Sequence, residues 1–220
     1  MWCPFMKVLR LPIMALALLT AGELWAADPR FQAIFSENLS VAAGKSTDIT
    51  INLMQRLQDD ENGPDQYLTS ISVERTIANG VELGIGGTHH RIGAETENRP
   101  YQRLIITSGA LSSRTQLEQR LFETGPDIVW RVRERIQYSQ ALDSEKCWSL
   151  IASGELLFTL NHRSTSAKTG LDQYRGELGL RRRLSHHLYL QAGYLRQHNF
   201  RLNRPDTLIN GSQLTLGWRL

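Results

Sequence analysis

The last nine residues, Ser212 to Leu220, alternate strictly: Leu214, Leu216, Trp218 and Leu220 share one side, and Gln213, Thr215, Gly217 and Arg219 the other. A period of two marks a strand whose two faces meet different surroundings. The pattern recurs from Lys45 to the end of the chain, and no segment carries a helical period. In "STDITINLMQR", Thr47, Ile49, Ile51 and Leu53 face one way while Ser46, Asp48, Thr50 and Asn52 face the other. With Gly, Asn, Asp and Pro as punctuation, the spacing predicts strands at about 46–57, 66–78, 81–92, 100–108, 111–122, 127–140, 147–161, 171–184, 187–199 and 207–220.

These lengths match or exceed the roughly 9 to 11 residues that a tilted strand needs to cross a bilayer. The connections also alternate. "QDDENGPD", "GAETENRP", "ETGPD", "NHRSTSAKTG" and "NFRLNRPD" are longer and polar, whereas "NG" at 79–80, "GA" at 109–110 and "SHH" at 185–187 are tight, with "LDSEK" intermediate on the tight side. Long loops on one rim and short turns on the other is the plan of an outer-membrane barrel. The expected fold is therefore an all-β, antiparallel, up-and-down transmembrane β-barrel over residues 46–220. Termini that both lie in the periplasm demand an even strand number, so ten strands are expected. The stretch "FQAIFSENLSVAA" within 27–45 is then a periplasmic lead-in, an inward plug, or an extra strand that is half of an unresolved pair, which would make twelve.

Residues 1–26 read as a cleaved signal peptide: Lys7 and Arg10 precede the apolar run "LPIMALALLTAG", and "ELWAA" ends in small residues. Twelve apolar residues are too few for a spanning helix, and no later stretch reaches the roughly 18 that one needs. The leader would take Lys7, Arg10 and Glu23 with it, reducing the net charge from +3 to +2, which carries no nucleic-acid signal. Cys3 would leave too, and Cys147 alone could form no intramolecular disulfide.

The polar faces suggest what the barrel encloses. Arg114, Glu118 and Arg120 share one face, as do Arg131, Arg133 and Arg135, then Arg175, Glu177 and Arg181; Glu155 joins them from "SGELLFTLN". The opposite faces carry aromatics near strand ends. Trp130 and Tyr138 are eight residues apart and Trp148 and Phe158 ten, and with Trp218 they form an expected interfacial girdle. Glu134 interrupts its apolar face between Val132 and Ile136, while Arg75 and Arg182 fall on apolar faces near strand ends, where they can snorkel.

The segments "RPYQRLIIT", "SSRTQLEQRLFE", "WRVRERIQY", "SGELLFTLN" and "LDQYRGELGLRRRLSHHLYLQAGYLRQ", in this order, resemble the Gram-negative outer-membrane barrel family called domain of unknown function 2490. The resemblance runs from about Arg99 to Leu220 and more weakly back to Phe31. It implies the fold and the location, and no activity.

Two readings fit the inward set of Arg114, Glu118, Arg120, Arg131, Arg133, Arg135, Glu155, Arg175, Glu177 and Arg181. One is an interlocking charge ladder that fills and stiffens the lumen, because buried charges must be paired. The other is a porin-like constriction that prefers small anions, because Arg exceeds Glu in the set. On either reading the chain is not an enzyme and needs no cofactor. Its expected partners are outer-membrane lipid, lipopolysaccharide and the β-barrel assembly machinery, together with a small anionic solute and no nucleic acid.

The alternatives are a membrane-embedded lipid hydrolase or acyltransferase and a secreted soluble ligand-binding β-protein. The first needs a His-activated nucleophile. His162 and His198 lie at loop edges and His186 with His187 in a tight turn, without a recognisable lipase signature. The pair His89 and His90 points to opposite faces of a strand and does not converge on a metal. "GIGG" at 84–87 is followed by no helix and no Lys-Ser/Thr, so it is a place for a bend or a bulky neighbour.

Overall fold

The computed structural model describes residues 28–58, 63–124, 127–161, 168–203 and 205–220. The expected signal peptide, Cys3 and His162 lie outside them. Among the described residues all the regular structure is strand: β1 (Asp28–Ala42), β2 (Thr47–Gln58), β3 (Gln66–Ala78), β4 (Val81–Ile92), β5 (Glu95–Ser108), β6 (Leu111–Phe122), β7 (Ile128–Ala141), β8 (Trp148–Thr159), β9 (Gly170–Arg183), β10 (Leu188–Asn199) and β11 (Thr207–Arg219). Consecutive strands pair antiparallel, and β1 pairs with β11 to close the barrel.

The all-β barrel is as the alternation implies, but it has eleven strands and not ten or twelve. The stretch at 27–45 is the extra strand. It needs no further partner because β1 runs parallel to β11, with Asp28 level with Thr207 and Ser40 with Arg219. An even number is required only when every pair is antiparallel; one parallel seam makes eleven close without an edge. As a result Asp28 lies at the rim of the longer connections and Leu220 at the rim of the short turns, where the Ala42 amide donates to the Leu220 carbonyl at 3.0 Å. A second correction concerns "GAETENRP". Only Gly93 and Ala94 connect β4 to β5, and the remainder is strand. Pro100 accounts for the difference. It has no N–H to give to a ladder, and the β5–β6 pairing skips Arg99 and Pro100 between Asn98–Leu121 and Tyr101–Glu118 without changing register.

The strands are steeply tilted. Following paired residues from Ala42 through Asp48, Glu74, Gly84, Arg103, Gln116, Arg133, Leu157, Gln173, Asn199 and Thr207 returns to β1 at Asp28, fourteen residues along from the start. Such a stagger is what closes a sheet into a barrel. A bulge at Asp172 of β9, opposite Leu157 and Phe158, adds local twist near the long-loop rim.

The distribution of side chains is inverted relative to a water-soluble barrel. Ile71, Ile85 and Ile136 are 56, 64 and 59% exposed on the outer face, whereas Glu118 and Glu97 are 2 and 4% exposed. At two places on the inner face a glycine makes room for a tyrosine ring. Tyr101 lies over Gly86 and Tyr189 over Gly217 on the neighbouring strand. A Cβ on Gly86 would meet the Ile71 carbonyl oxygen at 2.5 Å and Tyr101 Oη at 2.6 Å, while one on Gly87, facing out, meets nothing within 4 Å. Gly86→Val therefore lowers unfolding stability by about 1–3 kcal/mol through overpacking, and Gly87→Val by less than about 0.5 kcal/mol. Urea unfolding of the refolded proteins, followed by tryptophan fluorescence, checks the difference.

Candidate functional site: a guanidinium-lined lumen

The inner faces enclose a cavity of about 800 Å³. Its two walls differ in chemistry. Strands β1, β2, β10 and β11 present mainly amides and hydroxyls, such as Asn38, Thr50, Asn52, Gln191, Gln213 and Thr215, whereas β5 to β9 carry the charges. Most fully buried inner residues, including Gln32, His90, Glu97, Glu118, Arg131, Gln173 and Gln197, sit toward the long-loop rim; Ser72, Glu74 and Ile151 are buried nearer the other. Tyr189, Gln191 and Arg181, near the short turns, are only partly buried. The interior thus narrows toward the long loops and widens toward the short turns.

Three carboxylates organise the narrow part. Glu118 accepts Arg131 through Nη2 at 2.5 Å and Nε at 2.9 Å, Arg133 Nη1 at 2.8 Å and Gln116 Nε2 at 2.7 Å. Glu155 takes Arg133 Nη2 at 2.7 Å, Arg114 Nη2 at 2.8 Å and Arg175 Nη1 at 3.4 Å. Arg133 therefore bridges Glu118 to Glu155. Glu97 takes both Arg120 Nε at 2.5 Å and Arg99 Nη2 at 2.7 Å, with His90 beside them. Lower down, Glu177 accepts Arg135 Nη2 at 3.1 Å and Ser153 Oγ at 3.0 Å, and Arg181 donates Nε and Nη2 to Gln191 Oε1.

The structure places Arg114, Glu118, Arg131, Arg133, Arg135, Glu155, Arg175, Glu177 and Arg181 against the cavity, and Arg120 on Glu97 beside it. Reading the sequence alone misses Arg56, Glu74, His90, Glu97, Arg99 and Arg103, which share the interior. Glu74 pairs with Arg103, which also donates to Ser72 Oγ at 2.7 Å. The missing signal was present in part: Glu97, Arg99, Tyr101 and Arg103 alternate straight through Pro100.

On the outer face, Trp130 and Phe158 lie toward the long-loop end of their strands, and Tyr138, Trp148 and Trp218 toward the short-turn end. Arg182 sits over Trp148 with Cζ 5.2 Å from the ring centroid. Glu134 does face outward, and its carboxylate accepts Ser113 Oγ at 2.8 Å and Thr115 Oγ1 at 2.5 Å from β6. These two hydroxyls partly replace the water that a carboxylate on an apolar face lacks.

His89 faces out toward Asn98 Oδ1 at 2.9 Å, and His90 faces in toward Gln66 Oε1 at 3.2 Å. His198, almost fully buried between Tyr174 and Phe200, pairs with Asp206 Oδ2 at 2.8 Å, while Asp206 Oδ1 accepts the Arg201 amide. Desolvation acts to raise the Asp206 carboxyl, but the hydrogen bonds from His198 and Arg201 outweigh it and hold it below the ordinary carboxylate range. This pair ties the 200–206 connection to the barrel wall. Among the described residues no three His, Cys, Asp or Glu side chains converge as metal ligands.

Removing one carboxylate strands several guanidinium groups at once, and breaking a buried pair on one side costs about 3–5 kcal/mol. Glu155→Gln is expected to destabilise the barrel by that order. Glu177→Gln, whose carboxylate is 26% exposed and water-screened, costs less. The temperature at which each variant loses its folded, fast-migrating gel band measures the ranking.

Comparison with known proteins agrees with this architecture. An uncharacterized protein of Methylorubrum extorquens is 29% identical over 115 residues, covering 49% of this chain. The chain spans about half the length of that curated relative, 50%. A solved structure of the NanC porin superposes with a TM-score of 0.55 at 10% identity, covering 86% of this chain and 98% of the porin, a likeness of fold. The profile of the family described as protein of unknown function (DUF2490) matches residues 31–208, and the chain belongs to that family.

Proposed function

We propose that this chain is a non-enzymatic bacterial outer-membrane barrel that conducts small anionic solutes through a narrow, arginine-lined lumen. One observation carries the reading: arginines outnumber glutamates around an enclosed cavity, so the interior keeps a positive potential after every carboxylate is paired. In a narrow, low-dielectric passage such a potential attracts anions and repels cations. Arginine suits the task because its planar fork can hold a fixed carboxylate with one edge and offer another to a passing anion. The opposite wall, mainly neutral, supplies amides and hydroxyls that replace part of the solute's hydration.

The apolar outer face supports the membrane part of the reading. Exposed Ile, Leu and Phe side chains over most of a closed surface are unfavourable in water and favoured in hydrocarbon, and the closed ladder leaves no edge unpaired. Its partners in this reading are outer-membrane lipid and lipopolysaccharide, with the β-barrel assembly machinery acting during insertion.

Planar-bilayer recording of the refolded protein tests the function. Small unitary conductance is expected, with a reversal potential under a salt gradient that reports anion preference, and Arg135→Glu shifts that potential toward cations. No conductance at any voltage, or cation preference in the unaltered chain, overturns it. The membrane reading has a separate test: extraction only with detergent and heat-modifiable gel mobility are expected, and extraction in plain buffer overturns it.

A further inference from the structure

Around the narrow part of the lumen the charges do not balance. Arg114, Arg133 and Arg175 share Glu155, and Arg131 and Arg133 share Glu118. From the other wall comes Arg56 of β2, directly opposite Ile34 of β1 and Gln66 of β3 in register. Its inner neighbours on β1 and β2, Gln32, Ile34, Ser36, Met54 and Gln58, hold no carboxylate. Arg56 lines the same cavity as Arg99, Arg133 and Arg175, so like charges crowd this part of the lumen. An unpaired buried guanidinium is costly, and two facing each other are more so.

The hydrogen-bonding groups here are also unmatched in a particular way. Arg56 Nε, Arg175 Nε and Gln32 Nε2 are buried donors with no hydrogen-bond partner among the described residues. Gln32 is 1% exposed. Gln197, paired in register with Arg175, leaves one buried acceptor, Oε1, equally unpartnered. Three donors, two of them cationic, and one acceptor fit an anion that offers several oxygens and also one hydroxyl.

We propose that Arg56 and Arg175, with Gln32 and Gln197, form an oxyanion subsite in the lumen that takes a hydroxyl-bearing oxyanion: hydrogen phosphate or a small hydroxycarboxylate. The anionic oxygens accept from the two guanidinium groups and the Gln32 amide, and the ligand's hydroxyl donates to Gln197 Oε1. The subsite deepens the channel reading and rests on it for the route by which the anion arrives. Bound there, the anion offsets the repulsion between the two walls and so stabilises the folded barrel by mass action.

The test is the thermal unfolding midpoint of the refolded full chain in detergent at constant ionic strength, with sodium chloride replaced in turn by hydrogen phosphate, glycolate and acetate. Phosphate or glycolate is expected to raise the midpoint by several degrees over chloride, and acetate, without a hydroxyl, by less. Arg56→Gln abolishes the rise while leaving the midpoint in chloride no lower than that of the unaltered protein, because a repulsive charge has gone. Arg91→Gln, on the outer face over Tyr67, keeps the rise. Should Arg56→Gln fail to refold, Gln32→Leu replaces it with the same expected loss. The subsite is refuted if neither phosphate nor glycolate exceeds chloride, or if the rise survives at Arg56→Gln. Absent conductance with an intact rise sinks the channel reading alone; conductance with no rise sinks the subsite alone.

Discussion

Arg133 holds the interior together by reaching two carboxylates at once, Glu118 through Nη1 and Glu155 through Nη2 and Nε. Its neighbours in space depend on that bridge, since Arg131 completes Glu118 while Arg114 and Arg175 complete Glu155. A buried ion pair is weak evidence of stability when measured against an apolar pair, because desolvation opposes the Coulomb gain. A barrel with an apolar exterior has no such alternative. Its inner face is the one place for the polar half of every alternating strand, and each charge there must find a partner or a ligand. The lattice is thus the consequence of an inverted distribution of side chains, and it fills much of the narrow part of the lumen.

The same constraint acts on the backbone. A sheet surrounded by apolar groups cannot leave an edge, and here closure is achieved with eleven strands by one parallel pairing between β1 and β11. The seam places amide-bearing β1 and β2 opposite the charged strands, so a mainly neutral wall and the guanidinium wall face each other across the cavity. Glycine opposite tyrosine, at Gly86 with Tyr101 and Gly217 with Tyr189, lets bulky inner groups lie flat along the wall instead of crossing the lumen.

Much of this was legible in the residues. Strand positions from β2 to β11 follow the alternation to within a few residues, apart from the N-terminal part of β5, and the ten charged side chains singled out beforehand all face the interior or its edge. The failures have local physical causes. Pro100 carries the signature of a loop although only one of its two ladders is interrupted, which hid Glu97 and Arg99. The parity argument assumed antiparallel pairing throughout, which left β1 undecided between a lead-in, a plug and half of a further pair. Arg56 stood near the end of a strand whose nearest inner residues, Asn52, Met54 and Gln58, are neutral, and nothing in its neighbourhood along the chain distinguishes it from a solvated arginine.

By itself the sequence determined the period, the two faces of each strand and the sign of charge on the inner one, because a side chain's face depends only on whether its position is odd or even. Only the tertiary structure decided the strand number, the parallel seam and the identity of the partners: Arg133 between Glu118 and Glu155, Arg99 and Arg120 on Glu97, Arg56 and Arg175 on one cavity. Those meetings depend on the stagger with which the sheet closes on itself. A fourteen-residue offset accumulates one pairing at a time around the ring, and no local pattern records it.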